Sequence, residues 1–129
     1  MHVIHLRRPW ERLSKTERQP VVVDVPDVSD LNCTTMSSGD LVKYRRGFNA
    51  PTGLTAGETM GLYIGAWQGR LVSVQINETL AAAANAPLVL DLSNSLAGFN
   101  KIEIVLMSEF GELPRITGDV LLQIREMSE

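Results

Sequence analysis

The sequence feature that most constrains the fold is an alternation of apolar and polar residues between Gly61 and Asn77. Apolar side chains stand at every second position in its first half, and the second half repeats the pattern. These positions are Met60, Leu62, Ile64 and Ala66, then Val72, Val74 and Ile76, with Ser73, Gln75 and Asn77 on the opposite face. Period-two alternation is typical of strands with one buried face. The segment therefore predicts two strands that meet at Trp67-Gln68-Gly69.

The same alternation recurs along most of the chain and predicts an all-β fold. Strands are expected over residues 2–8, 21–25, 41–49, 88–93, 102–107 and 120–124. Residues 10–19 are expected to form a short helix or a loop, and residues 27–40 a long loop. Seven or eight strands, with turn residues roughly every ten positions, favour a single-domain antiparallel β-sandwich of jelly-roll type. Residues 1–129 then form one domain, made of an N-terminal strand and loop (1–19), the jelly roll (20–125) and a polar tail (126–129).

Charge and cysteine content narrow the expected partners and compartment. The 129 residues carry a net charge of −3, which argues against a nucleic-acid surface because phosphate binding requires a basic face. Cys33 is the only cysteine, so a reducing compartment is expected. The N-terminus lacks the pattern of a signal peptide, and no segment reaches the length of a membrane span. These features predict a cytoplasmic protein with neither nucleic acid nor membrane as a partner.

Several short motifs follow one another in a characteristic order. They are Val25-Pro26-Asp27, the run Lys43-Tyr44-Arg45-Arg46-Gly47-Phe48-Asn49-Ala50-Pro51, Val72–Asn77, Leu90-Asp91-Leu92, and residues 96–104 with Gly98, Asn100 and Ile102. Their order resembles the N-terminal sugar-binding domain of family 2 glycoside hydrolases, such as β-galactosidases and β-glucuronidases. The resemblance covers about residues 20–125. It departs from the family after Asn77, where Glu78 replaces the usual glycine of a tight turn.

The resemblance implies both a fold and a restricted function. It implies a galactose-binding-like jelly roll, in agreement with the alternation. In the family, the catalytic acid and the nucleophile lie in a separate barrel domain, which this chain does not contain. The resemblance therefore implies a non-catalytic domain, not an enzyme, with carbohydrate as a possible ligand.

The sequence contains no recognisable catalytic or metal-binding motif. His2 and His5 are three positions apart on an expected strand, so they face opposite sides. Asp91, Glu103 and Glu109 are explained as solvated polar positions in preference to a pair of glycosidase carboxylates. No cofactor and no metal are expected.

A binding site is more plausible than a catalytic one, and its candidates surround the Trp67 turn. Sugar sites combine an aromatic platform with a few polar partners. Trp67 would supply the platform, and Gln68, Arg70 or Arg46 the polar groups, with Tyr44 as a second aromatic at the rim of a cleft. The alternative is that Trp67 covers the end of the hydrophobic core and that Trp10 covers the edge of the sandwich.

Two functions from different classes therefore remain open. The first is a non-catalytic carbohydrate-binding domain. The second is a protein-interaction or scaffold domain that has kept the fold without a sugar ligand. This second function predicts an outward apolar strand face, with Val89, Val105 and Met107 buried in a homodimer or against a protein partner.

Overall fold

The structure is a computed structural model that describes residues 2–28, 37–50, 57–77, 79–81, 88–92 and 97–126. These residues form twelve strands and no helix. No membrane-spanning helix occurs among these residues. The strands are β1 (His2–His5), β2 (Trp10–Ser14), β3 (Val21–Val23), β4 (Leu41–Asn49), β5 (Glu58–Ile64), β6 (Trp67–Gln68), β7 (Arg70–Ile76), β8 (Thr79–Ala81), β9 (Leu88–Asp91), β10 (Phe99–Met107), β11 (Arg115–Ile116) and β12 (Val120–Glu126). Cys33, Glu78 and residues 127–129 of the tail lie outside the described residues.

The strands form two main sheets in which every described pair is antiparallel. A four-stranded sheet has the order β1-β12-β5-β9, and a six-stranded sheet has the order β3-β2-β4-β10-β7-β8. The short pair β11-β6 forms a third, two-stranded sheet. This arrangement confirms the antiparallel β-sandwich of jelly-roll type. The N-terminal residues belong fully to it, since β1 pairs with β12 and β2 pairs with β4.

The core lies between the two main sheets and is built by their alternating inward side chains. Both sheets contribute residues with almost no exposed surface, as alternation predicts for strands with one buried face. Members of the core include Val42, Leu62, Ile64, Val74, Ile102, Ile104, Leu106, Val120 and Leu122. Burying each such aliphatic side chain contributes about 1.5–3 kcal/mol, so this core is the main source of stability.

The prediction of a helix or loop for residues 10–19 is wrong in its first half. Residues 10–14 form β2, which lies between β3 and β4. Trp10 and Arg12 point inward and are 0% and 1% exposed. The strand escaped the alternation test because one of its two inward residues is an arginine. Trp10 is consequently a core residue and does not cover the edge of the sandwich.

The two strands of the Gly61–Asn77 segment belong to different sheets. β5 lies in the four-stranded sheet and β7 in the six-stranded sheet, so the Trp67 turn connects the two layers. In β7 the pairing with β10 shifts from Ser73 opposite Val105 to Leu71 opposite Leu106. This β-bulge makes Val72 the extra residue. The predicted inward position of Val72 is wrong: it is 40% exposed, while Leu71 is buried.

The outward apolar face expected for a protein-interaction domain is also not present as predicted. Val89 is exposed, but it lies on β9 in the four-stranded sheet. Val105 and Met107 lie on β10 in the six-stranded sheet, and Val105 is only 6% exposed. The three residues therefore do not share one face.

Candidate functional site

The backbone of the Trp67 turn and the Gln68 amide hold two segments together. Trp67 pairs with Ile116, and Gln68 with Arg115, in the two-stranded sheet. The Gln68 Nε2 atom donates a hydrogen bond of 2.7 Å to the carbonyl oxygen of Leu113. Trp67 is half-buried and packs against the core. This geometry agrees with the alternative in which Trp67 covers the end of the core.

Tyr44 lies inside the sandwich and does not line a cleft. Its ring is 0% exposed, so the position at a cleft rim predicted for it is wrong. Its hydroxyl donates a hydrogen bond of 2.7 Å to Asp27 Oδ2. The same oxygen accepts a 2.8 Å hydrogen bond from Arg12 Nη1. Tyr44 therefore fixes a buried carboxylate and presents no surface to a ligand.

Arg12 is the centre of this buried polar cluster. Its Nε and Nη2 atoms donate to the two carboxylate oxygens of Glu17 at 3.0 and 2.7 Å, a bidentate arrangement. Burial opposes the charge of Arg12, but the hydrogen bonds and charges of Glu17 and Asp27 outweigh it and raise the pKa of Arg12. Burial, followed by the hydrogen bond and charge of Asp27, raises the pKa of the Tyr44 hydroxyl well above its ordinary value. We interpret the cluster as a structural one.

Arg46 is separated from the Trp67 turn by most of the length of the sheet. Arg46 pairs with Ile102 on β10, whereas Arg70 pairs with Met107. Five residues of antiparallel strand span about 17 Å. Arg46, Trp67 and Arg70 therefore do not form the combined site that the sequence predicted.

Arg46 lies instead at the back of a groove on the outer face of the six-stranded sheet. Its side chain is on the inward side of β4, since it alternates with the buried Tyr44 and pairs with the buried Ile102. Its guanidinium carbon is 5.8 Å from the centre of the Trp10 ring, within the range of a cation–π contact. Its Nε atom donates a 3.1 Å hydrogen bond to the carbonyl oxygen of Gly47. The residue is half-buried, and burial lowers its pKa.

The groove has a volume of about 380 Å³ and crosses the strands β2, β4, β10 and β7. This volume is in the range of small-molecule sites. One wall is a row of directly opposed residues, Glu11, Arg45, Glu103 and Gln75. The next row contains Gly47, Lys101 and Asn77.

Phe99 provides an aromatic surface at the end of this groove. It is 56% exposed although it is a large apolar residue. A Cβ atom built on Gly47 would lie only 2.2 Å from the Cζ atom of Phe99. The absence of a side chain at Gly47 is therefore what allows the ring to lie against β4. Packing of an aromatic ring over a strand glycine also has a purely structural use, so the polar surroundings decide how the groove is interpreted.

The polar side chains around Phe99 are not paired with one another. Among the residues that the structure describes, the side chains of Glu11, Arg45, Gln75, Lys101 and Glu103 form no hydrogen bond or ion pair. Their donors and acceptors are available to a ligand. An aromatic surface with several convergent polar groups is the usual composition of a sugar site.

Two asparagines fix the strand ends that form the floor of the groove. Asn77 has a φ of 57°, a left-handed conformation that asparagine tolerates. Its Oδ1 atom accepts a hydrogen bond of 3.0 Å from the backbone N–H of Lys101, and its Nδ2 atom donates to Asn100 Oδ1 at 3.1 Å. Asn100 is fully buried and also bonds both backbone groups of Ala97. These bonds hold Phe99 and Lys101 in place.

Sequence reasoning did not identify Phe99, although a signal for it exists. Because Ile102 is an inward position, alternation puts its neighbours Lys101 and Glu103, together with Phe99, on the outward face. An aromatic residue on an otherwise charged face is the informative exception. What the sequence did not contain was the pairing that places Gly47 beneath the ring.

The described residues contain no group of three or more histidine, cysteine, aspartate or glutamate side chains that could hold a metal ion. The groove's own carboxylates, Glu11 and Glu103, both lie directly opposite Arg45. The groove therefore offers hydrogen-bonding groups, charges and an aromatic surface.

Comparison with solved structures identifies the class of fold. Comparison of the sequence with protein-family models and with curated proteins gives no match. A putative β-galactosidase from Bacteroides fragilis superposes with a TM-score of 0.76 at 16% identity, over 97% of this chain and 23% of that one. A β-D-mannosidase from Dictyoglomus thermophilum gives 0.73 at 13% identity, over 95% and 22%. A β-glucuronidase from Bifidobacterium dentium, complexed with coumarin-3-O-glucuronide, gives 0.68 at 22% identity, over 85% and 20%.

These likenesses establish the fold and the extent of the match. The chain has the jelly-roll fold of a single domain of family 2 glycoside hydrolases, as its motifs predicted. It spans about a fifth to a third of the length of the enzymes it resembles. At these identities the comparison concerns the fold alone, and the groove must be interpreted from its own residues.

Proposed function

We propose that this chain is a non-catalytic carbohydrate-binding domain and that the groove around Phe99 is its binding site. The observation that carries the proposal is the exposed Phe99 ring, which lies against Gly47 among polar side chains that have no partner within the described residues. The carbon–hydrogen face of a sugar ring stacks on such an aromatic surface, while its hydroxyl groups bond to planar polar groups at the edges. Gln75, Arg45 and Glu103 supply these groups from three neighbouring strands.

Replacement of Phe99 by alanine tests the proposal directly. The ring is more than half exposed, so its removal leaves the core intact. A central aromatic contact typically accounts for more than 1 kcal/mol of binding, so affinity should fall about tenfold. The measurement is a screen on a glycan array, followed by titration calorimetry with the strongest ligand.

A matched control is available in Phe110. It is 94% exposed and lies in the turn after β10, away from the groove. Phe110→Ala should bind as the original chain does. Equal effects of the two substitutions, or no glycan bound at all, would contradict the proposed function.

A second candidate function, self-association, is favoured by the valines near the edge of the six-stranded sheet. β3 is the outermost strand, and Val22 is 61% and Val28 89% exposed. Exposed apolar edge strands tend to pair with another chain. The expected result is a homodimer in light scattering that Val22→Lys converts to a monomer, and a monomer at all concentrations excludes this function.

A further inference from the structure

The charged side chains on the outward face of the groove cancel one another. They are two cations, Arg45 and Lys101, and two carboxylates, Glu11 and Glu103. Arg46 also borders the groove, but its side chain is on the inward side of β4 and its guanidinium packs over a buried tryptophan. The outward lining therefore carries no formal net charge.

These charges also alternate in position. Arg45 lies directly opposite Glu11 on β2 and Glu103 on β10, at Cβ separations of about 4.5–5.5 Å. Lys101 precedes Glu103 by two residues on the same face of β10, about 7 Å away. Each charge in the groove thus has a charge of the opposite sign as its neighbour, and the four side chains form no ion pair within the described part of the chain.

This alternation treats charged and uncharged ligand groups differently. A charged group in the groove is attracted by one side chain and repelled by the next, while it loses part of its hydration. A hydroxyl group both donates and accepts hydrogen bonds, so it bonds to the cations and to the carboxylates alike. Gln75, which lies opposite Glu103, also offers both a donor and an acceptor.

We infer that the ligand of the groove is an uncharged glycan, and that Glu103 is the residue that excludes anionic glycans. This inference rests on the proposed carbohydrate-binding function and adds the class of the ligand. Glu103 has this role because it is the carboxylate that neighbours both Arg45 and Lys101. It cancels the attraction that these two cations exert on a carboxylate or sulphate group, and a repulsive element of this kind is a common source of specificity.

Trisaccharides that share a backbone and differ in charge test the class of the ligand. The set uses the backbone of the neutral glycan that binds most tightly on the array. For β-1,4-linked glucose, the probes are cellotriose, β-1,4-linked triglucuronate and chitotriose at a pH at which its amines are protonated. Fully N-acetylated chitotriose restores neutrality at the amine positions.

We expect each neutral probe to bind about threefold more tightly than its charged counterparts, since a charged group loses hydration without a net gain in attraction. Added salt should leave the affinity of the neutral probes unchanged, because no net charge is screened. A charged probe that binds as tightly as its neutral counterpart overturns the inference, and so does an array on which the strongest ligands are charged glycans.

Substitutions that unbalance the charges test the role of Glu103. Glu103→Gln keeps the size of the side chain and leaves an excess cation, so the affinity for triglucuronate relative to cellotriose should rise about fivefold. Lys101→Gln leaves an excess carboxylate and should raise the affinity for chitotriose relative to its N-acetylated form by a similar factor. Each ratio is independent of a hydrogen bond that both probes lose. The control is Glu112→Gln, which removes an exposed carboxylate between β10 and β11 and should change neither ratio.

The outcomes separate this inference from the proposed function. An unchanged ratio in the Glu103 variant, or an equal change in the Glu112 variant, overturns the inference and leaves carbohydrate binding standing. Absence of binding to every glycan on the array overturns both.

Discussion

Removal of the Arg12 side chain should destabilise the domain more than removal of any other charged side chain among the described residues. Arg12 is 1% exposed and is bonded to Asp27 at 2.8 Å and to Glu17 at 2.7 Å, both of which are also buried. Arg12→Met keeps the length of the side chain and deletes the cation that binds Asp27 and Glu17. Two carboxylates, whose side chains are only 3% and 1% exposed, then remain without it.

The expected cost follows from that burial. Breaking a buried ion pair by removing one partner costs about 3–5 kcal/mol, a large part of a total stability of about 5–15 kcal/mol. With a urea dependence of about 2 kcal/mol per molar, the midpoint of unfolding should fall by about 2 M. Fluorescence of the two tryptophans, Trp10 and Trp67, reports the transition.

Two further variants make this result interpretable. Arg8 pairs with Asp24 at 2.9 Å, but the two side chains are 71% and 60% exposed, so Arg8→Met should cost less than about 1 kcal/mol. Asp27→Asn keeps the size of the side chain and leaves the Arg12–Glu17 pair intact, so an intermediate cost is expected. It also gives a measurable value if Arg12→Met does not fold. Equal midpoints for the Arg12 and Arg8 variants would refute the reasoning that burial decides the value of these pairs.

Two other substitutions test the backbone and the titration of the interior. Tyr44→Phe should cost about 1–2 kcal/mol of stability at neutral pH. Because the folded state raises the pKa of Tyr44, the original chain loses stability as the pH rises above about 10. Unfolding curves should therefore show that the difference in stability between the two proteins narrows above this pH, and a constant difference contradicts the raised pKa. Gly69→Ala should cost about 2–3 kcal/mol in thermal or urea unfolding, because Gly69 has a φ of 90° and an added Cβ would lie 2.7 Å from the carbonyl oxygen of Met107. Gly111→Ala, at a φ of 78° but with nothing within 4 Å, should cost only about 1 kcal/mol, and equal costs would show that the close approach to Met107 is unimportant.

The strands that the sequence predicted well are those whose inward positions are all apolar. β5, β10 and β12 were recognisable because every second residue is a large aliphatic one, and burial of that face is what drives the strand to form. β2 was not recognisable because Arg12 occupies an inward position. Its burial depends on Glu17, Asp27 and Tyr44, which no local pattern connects. The position of Val72 was wrong for a related reason, since a bulge is a property of the pairing between β7 and β10 and not of either strand alone.

The candidate site shows the same division between local pattern and pairing. The sequence predicted a site at the Trp67 turn because tryptophan, glutamine and arginine lie close together there. In the structure, the Gln68 amide donates to the carbonyl oxygen of Leu113 and the Trp67 ring packs against the core. In the groove, by contrast, Phe99, Gly47 and Gln75 come from three strands that are far apart in sequence and adjacent only in the sheet. Alternation determines which residues face outward, but only the register determines that the exposed ring meets a glycine. A site on the face of a sheet is therefore assembled by the register, and this is why an outward aromatic residue on a charged strand face is a better guide to it than a cluster of neighbouring polar residues in a turn.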